Sequence, residues 1–184
     1  MISISIYFPV FEGPLAIGLT SSVTLGFILG LFRVKSFRKM KSVDEKMNLI
    51  RNSYIASVLS IVGLAACGFD GVSKLVVGGP TTIIAAITIF SGTIASSVSF
   101  IFYQIPALVS STMFPETSSV ALSLTDAIGF FVTSVIMGLN SVVLGNFGWS
   151  ASWSFMAVIF TLGGASMTRA LRSVFVEATK TAHR

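Results

Sequence analysis

Apart from Lys74, every lysine and arginine of this 184-residue chain falls in one of two clusters. The first holds Arg33, Lys35, Arg38, Lys39, Lys41, Lys46 and Arg51; the second holds Arg169, Arg172, Lys180 and Arg184. Long stretches without any charge run before and between them. Cations that flank such stretches mark loops held on one side of a lipid bilayer. With 53% hydrophobic and only 10% charged residues, and a mean hydropathy of +0.90, the composition lies well beyond that of an ordinary soluble domain. The expected fold class is all-α, a polytopic bundle of transmembrane helices with the lipid bilayer as its first partner.

The pI near 9.7 follows from cations flanking the spans. No basic face with interleaved aromatics accompanies it, so no nucleic acid is expected as a partner. Cys67 is the one cysteine and stands in an apolar stretch, which excludes a disulfide scaffold and a thiolate metal site. The one histidine, His183, belongs to a solvated chain end. No cofactor or metal site is read. The spans contain no paired carboxylates, nucleophile constellation or phosphate-cradling glycine loop, so an enzyme is not expected.

Spans follow from the ~20 apolar residues needed to cross a ~30 Å hydrocarbon core. Met1 to Gly13 carries no lysine or arginine and no small-residue cleavage signature, so the first apolar segment is expected to be retained. Span one is 14–32 and ends at Arg33. The hydrophilic loop 33–51 follows, where Asp44, Glu45 and Lys46 suit a short surface helix; span two is 52–69 and closes on Asp70-Gly71. Leu75 to Pro115 has no charge over 41 residues, roughly 61 Å as a helix and too long for one crossing. Gly78-Gly79-Pro80 is its strongest breaker, leaving 82–113 as span three, with a kink expected at Pro106. In the uncharged run from Ala127 to Thr168, Gly145-Asn146-Phe147-Gly148-Trp149 has turn composition and an aromatic suited to the membrane interface. It divides span four, 118–144, from span five, 150–168.

Parity tests the count. If the loop 33–51 and the tail 169–184 both obey the positive-inside rule, an even number of crossings separates them, and spans two to five supply four. The expectation is a single transmembrane domain over residues 1–184, with five helices, the N-terminus outside and the C-terminus cytoplasmic.

Within the spans, Gly26 and Gly30 form a GxxxG, and Gly92, Ala95, Ser96 and Ser99 recur in span three; both sets read as surfaces for close helix packing, as does Gly163-Gly164. Asp126 is the one ionisable group inside an apolar span, about eight residues or ~12 Å from its start. An Asp at mid-helix costs near 3 kcal/mol on insertion scales, so it should face a bundle interior, a partner or a water-filled cavity. Ser119, Ser123, Asp126 and Thr133 share one face as a polar stripe. Tyr103 and Gln104 precede Pro106, which leaves the helix one backbone hydrogen bond short beside them and makes a local polar site.

A longer pattern joins these marks. A span with Gly92 in its first half is followed by Ile105-Pro106-Ala107-Leu108 and Phe114-Pro115-Glu116. Then come a small-residue span with Asp126-Ala127-Ile128-Gly129, the Gly148-Trp149 turn and a last span with Phe155. In order and spacing this resembles helices ten to twelve of a major facilitator superfamily transporter, and the basic loop after Gly26 to Phe32 is similar to the loop between helices eight and nine. The resemblance covers residues 14 to 172. Thr117-Ser118-Ser119 stands where the family often has Arg-Gly, and Asp126 where Asn is common, so the chain is similar to a divergent member.

The resemblance implies a partial superfamily half, and alternating access by two six-helix halves that rock about a midplane site. Since helices eight, ten and eleven line the cavity in that family, Thr93, Ser97, Tyr103, Gln104 and Asp126 become candidate substrate-binding residues. The implied function is that of a fragment or truncated form of a secondary transporter for a small-molecule solute, whose partner is the missing amino-terminal half. From another class, the alternative is a small polytopic protein acting as an interaction or assembly subunit, its loop 33–51 set against anionic lipid or a partner subunit.

Overall fold

The computed structural model describes residues 12–40, 42–68 and 79–182; the side chains of 12, 14, 15, 79, 80, 103, 104 and 176–182 lie outside that description. The turn expected at Asp70-Gly71, Lys74, Gly78 and His183 fall outside it too. The described chain is helical throughout: α1 (Glu12–Lys39), α2 (Val43–Cys67), α3 (Gly79–Met113), a 3-10 turn (Pro115–Thr117) and α4 (Ser118–Ala182). Among the described residues, four segments are long and apolar enough to cross a membrane.

The basic stretch expected as a loop is mostly helix. α1 runs on through Arg38 and Lys39, and α2 begins at Val43 with Asp44 and Glu45 in its first turn. Charges of these signs at these ends complement the helix dipoles, and Lys, Arg and Glu are good helix formers, so helices extend past the apolar segments. The breaker at Gly79-Pro80 stands where α3 starts, and Pro106 lies inside that helix.

α4 is two limbs rather than one rod. Gly148 has φ 80 and ψ −172, a conformation open to glycine alone. The Ser152 hydroxyl donates to Asn140 Oδ1 at 3.0 Å across twelve residues. In a straight helix those residues would stand ~18 Å apart, so the chain folds back between them. The break thus falls at the last glycine of the Gly145–Trp149 motif. Trp149, read as an interface aromatic, lies at the end of the bundle and is buried by protein, with 5% of its surface exposed. Its indole N–H donates to the Leu64 carbonyl (2.8 Å), and the Ser150 hydroxyl donates to the Ala65 carbonyl (3.0 Å). Both acceptors lie in the last turn of α2, where Ala65 also accepts from the Gly68 N–H, so the corner fastens itself to that helix end.

Helix directions follow from paired contacts. Gly18 faces Thr88, Gly26 faces Gly92 and Ala95, and Gly30 faces Ser96 and Ser99, so α1 and α3 run parallel. Leu64 packs with Ile87, while Ile50 packs with Phe100 and Ile105, so α2 is antiparallel to α3. Trp149 meets Leu64, Gly164 meets Tyr54, and Leu171 joins Ile50, so the limb after Gly148 is antiparallel to α2. One consequence is that both basic clusters reach the same end of the bundle. There Phe37, Ile50, Phe100, Leu171 and Phe175 form one core, with the Lys46 ammonium 5.6 Å from the Phe37 ring centre and 6.0 Å from that of Phe175.

At the extremes, burial runs opposite to apolarity: among the described spans the most apolar window, in α4, has 0% of its residues buried, whereas the least apolar, in α2, has 39%. Water would reverse that order, and lipid does not, because acyl chains solvate leucine and phenylalanine as well as a protein core does. The four apolar helices fit a multi-pass membrane protein.

Candidate functional site

The α1–α3 seam is built from residues too small to keep the backbones apart. A side-chain carbon added at Gly26 or Gly30 would collide with the backbone of α3, and one at Gly92 with Ser22. The Ser22 hydroxyl donates to the Thr88 carbonyl. At the basic end of the seam, Arg33 Nη1 donates to Ser97 Oγ at 3.4 Å, and Ser97 is fully buried. Ser99 donates to the Ser96 carbonyl (3.3 Å), while Ser96 Oγ is buried without a hydrogen-bond partner. Ser97, one of the five candidates, therefore belongs to a buried polar seam. Thr93 is half-buried and its hydroxyl donates to its own helix at Ile89 (2.9 Å).

Asp126 sits on the first limb of α4. With Ser118, Leu122, Ile136, Asn140 and Leu144 it makes the half-buried stripe of that limb, whereas Ser119, Ser123 and Thr133 beside it are exposed. The Phe102 and Phe130 rings meet edge to face at 6.2 Å and set the register between α3 and this limb. Because the chain reverses at Pro115–Thr117, that register brings Asp126 level with Pro106. Tyr103 and Gln104 are within a turn of that level in α3, and their side chains fall outside the described residues. Ser97 is about nine residues away along α3, ~14 Å, and Thr93 a further turn. The five candidates thus occupy two levels, with Asp126 nearer the basic end and Ser97 and Thr93 deeper. Among the described residues no hydrogen bond links Asp126 to Thr93 or Ser97, and no three His, Cys, Asp or Glu side chains come together as a metal site.

Arg33 was missed as a seam residue because its sequence context reads as a topogenic charge. A signal was nonetheless present: Gly26, Gly30 and Arg33 stand at steps of four and three, one helix face.

A second feature lies on the opposite side of α2. An open groove of about 450 Å³ runs between α2 and the limb after Gly148, with Tyr54, Ile55, Val58, Leu59 and Phe160 among its lining and Arg51 and Arg169 at one end. Compared with known proteins, the chain matches no family model, no curated protein and no solved structure.

Proposed function

We propose that this bundle is the carboxyl-terminal part of a secondary transporter of the major facilitator type, crossing the bilayer five times with both basic clusters in the cytoplasm and the N-terminus outside. The spans are those around 14–32, 52–69, 82–113, 118–144 and 150–168. The observation that carries the reading is Asp126: a half-buried carboxyl on the least covered apolar helix of the bundle, level with a proline-interrupted segment of the neighbouring helix. An intramembrane acid is expensive in lipid and stands where a polar solute or proton is handled. Uncovered apolar faces on the same limb suit contact with further helices as well as with lipid. In this reading Asp126 binds a proton or orients a polar solute from the cytoplasmic side, and Gln104 and Tyr103 share its level. Deeper along α3, Thr93 remains a candidate, while Ser97 is buried in the α1–α3 seam beside Arg33.

The topology predicts that, in a Cys67→Ser background, cysteines placed at Glu45 and Arg172 react with an impermeant maleimide from the same side; reaction from opposite sides removes the five-crossing arrangement. The transporter reading predicts seven further apolar spans in frame upstream of Met1. A stop codon and promoter there would favour the assembly subunit instead. In the full-length parent, Asp126→Asn is expected to abolish the pH dependence of uptake; an unchanged pH profile would discard the role given to Asp126.

A further inference from the structure

The groove between α2 and the second limb of α4 combines an apolar trough with cations at one mouth, and we infer that it is a binding site for an anionic phospholipid. Its wall on α2 is Arg51, Tyr54, Ile55, Val58 and Leu59, at steps of three, one, three and one, a continuous stripe along ~12 Å of helix. The facing wall descends from Arg169 through Ala165 and Gly164 to Phe160. The two helices are antiparallel, so the stripes begin together, and both guanidinium groups come to the same end. Gly164 matters to the shape: the Tyr54 ring lies where its Cβ would be, at 2.8 Å, and this lets the helices pack at the floor of the trough.

The two threonine hydroxyls of the trough are already used, which leaves the Tyr54 phenol as its neutral polar group. Thr161 donates to the Ala157 carbonyl at 2.8 Å and Thr168 to the Gly164 carbonyl at 2.7 Å, both within their own helix. Besides that phenol, what remains for an occupant is hydrocarbon surface along the trough and positive charge at its mouth. Among the described residues neither Arg51 nor Arg169 is paired with a carboxylate, and both are exposed. The acids of α2, Asp44 and Glu45, stand seven and six residues from Arg51, ~9–10 Å along the helix. Arg172 is one turn beyond Arg169 and adds to the same field.

That arrangement selects among ligands by elementary chemistry. A free phosphate would use the cations and leave the trough unfilled. A zwitterionic lipid would fill the trough but bring an ammonium to the arginines. A lipid with net negative charge does both, its acyl chain along Ile55, Val58 and Leu59 and its phosphate across the two guanidinium forks, which suit phosphate oxygens bidentately. Basic pockets between transmembrane helices at the cytoplasmic side hold anionic headgroups for this reason. The inference rests on the bilayer reading and is independent of any transport activity.

The test compares the protein in nanodiscs of dioleoylphosphatidylglycerol and of dioleoylphosphatidylcholine, with retained lipid counted by native mass spectrometry and stability followed by thermal unfolding. Wild type is expected to retain phosphatidylglycerol and to melt higher in it. Arg51→Gln with Arg169→Gln is expected to weaken retention roughly tenfold. Ala165→Trp, which fills the trough and leaves the arginines in place, should do the same, whereas Arg38→Gln with Lys39→Gln should not. Retention unchanged in both groove variants overturns the site. So does equal stabilisation by inorganic phosphate in detergent, or photo-crosslinking from position 165 to a protein segment rather than to lipid. A chain released from membranes by alkaline carbonate would sink the bilayer reading itself; a membrane-embedded chain without lipid selectivity would sink the groove alone.

Discussion

The α1–α3 seam and the first limb of α4 are both apolar, both carry glycines at helical spacing, and pack in opposite ways. In the seam, Gly26 and Gly30 abut the α3 backbone, and Ala95, Ser96, Ser97 and Ser99 are buried. On the limb, Gly129, Gly138 and Gly145 look onto open space, and Phe131, Val120 and Leu124 are exposed. Small residues therefore permit close approach without causing it. What differs is the opposing surface: the seam meets a second strip of Gly, Ala and Ser, whereas the limb is half-buried only along a sparse stripe with Leu122, Asp126, Ile136 and Asn140 and meets α3 through Phe130 on Phe102. In lipid there is no hydrophobic drive between helices, so shape complementarity decides which faces close and which stay solvated by acyl chains.

The sharpest way to break the comparison is to put the same bulk in both places. Gly30→Leu drives a side chain into Ser99 and the Ser96 carbonyl, and is expected to cost about 3 kcal/mol or more, read as loss of monodisperse protein and a lowered melting temperature in detergent. Next in size is Gly148→Ala, which forces a Cβ into a backbone conformation reserved for glycine. It should destabilise the corner between the limbs by roughly 1–3 kcal/mol, and a disulfide between cysteines placed at Asn140 and Ser152 is expected to form less readily in the variant. Smallest is Gly138→Leu, expected to shift stability by less than about 0.5 kcal/mol because nothing opposes the new side chain. A loss from Gly138→Leu as large as that from Gly30→Leu would show that a further helix covers the limb, and would sharpen the transporter reading.

Much of the architecture was legible in the residues. The end of α3 at Met113 follows from Phe114-Pro115, since proline disfavours helix in the residue before it. The reversal at Gly148 was legible within a five-residue window, and the small residues of spans one and three were legible as packing surfaces, though not as each other's partners. Other features were not. Loop 33–51 reads as hydrophilic, but polarity does not distinguish a helix that protrudes from the membrane from a coil; α1 and α2 meet through a connection of three residues, Met40 to Ser42. Trp149 has the composition of an interface anchor and is buried against the end of α2, where its N–H finds the Leu64 carbonyl, a partner 85 residues away. The candidate residues were named one helix at a time, and their division into two levels comes from the meeting of Phe102 with Phe130.

By itself, the sequence determined the helical class, the apolar segments, the breaker that separates the limbs of α4 and the small-residue faces, because each depends on local residue chemistry and helical period. Only the tertiary structure decided the parallel pairing of α1 with α3, the insertion of Arg33 onto Ser97 and the convergence of Arg51 with Arg169. These depend on the register between helices distant in the chain, and register is set by how opposing surfaces fit.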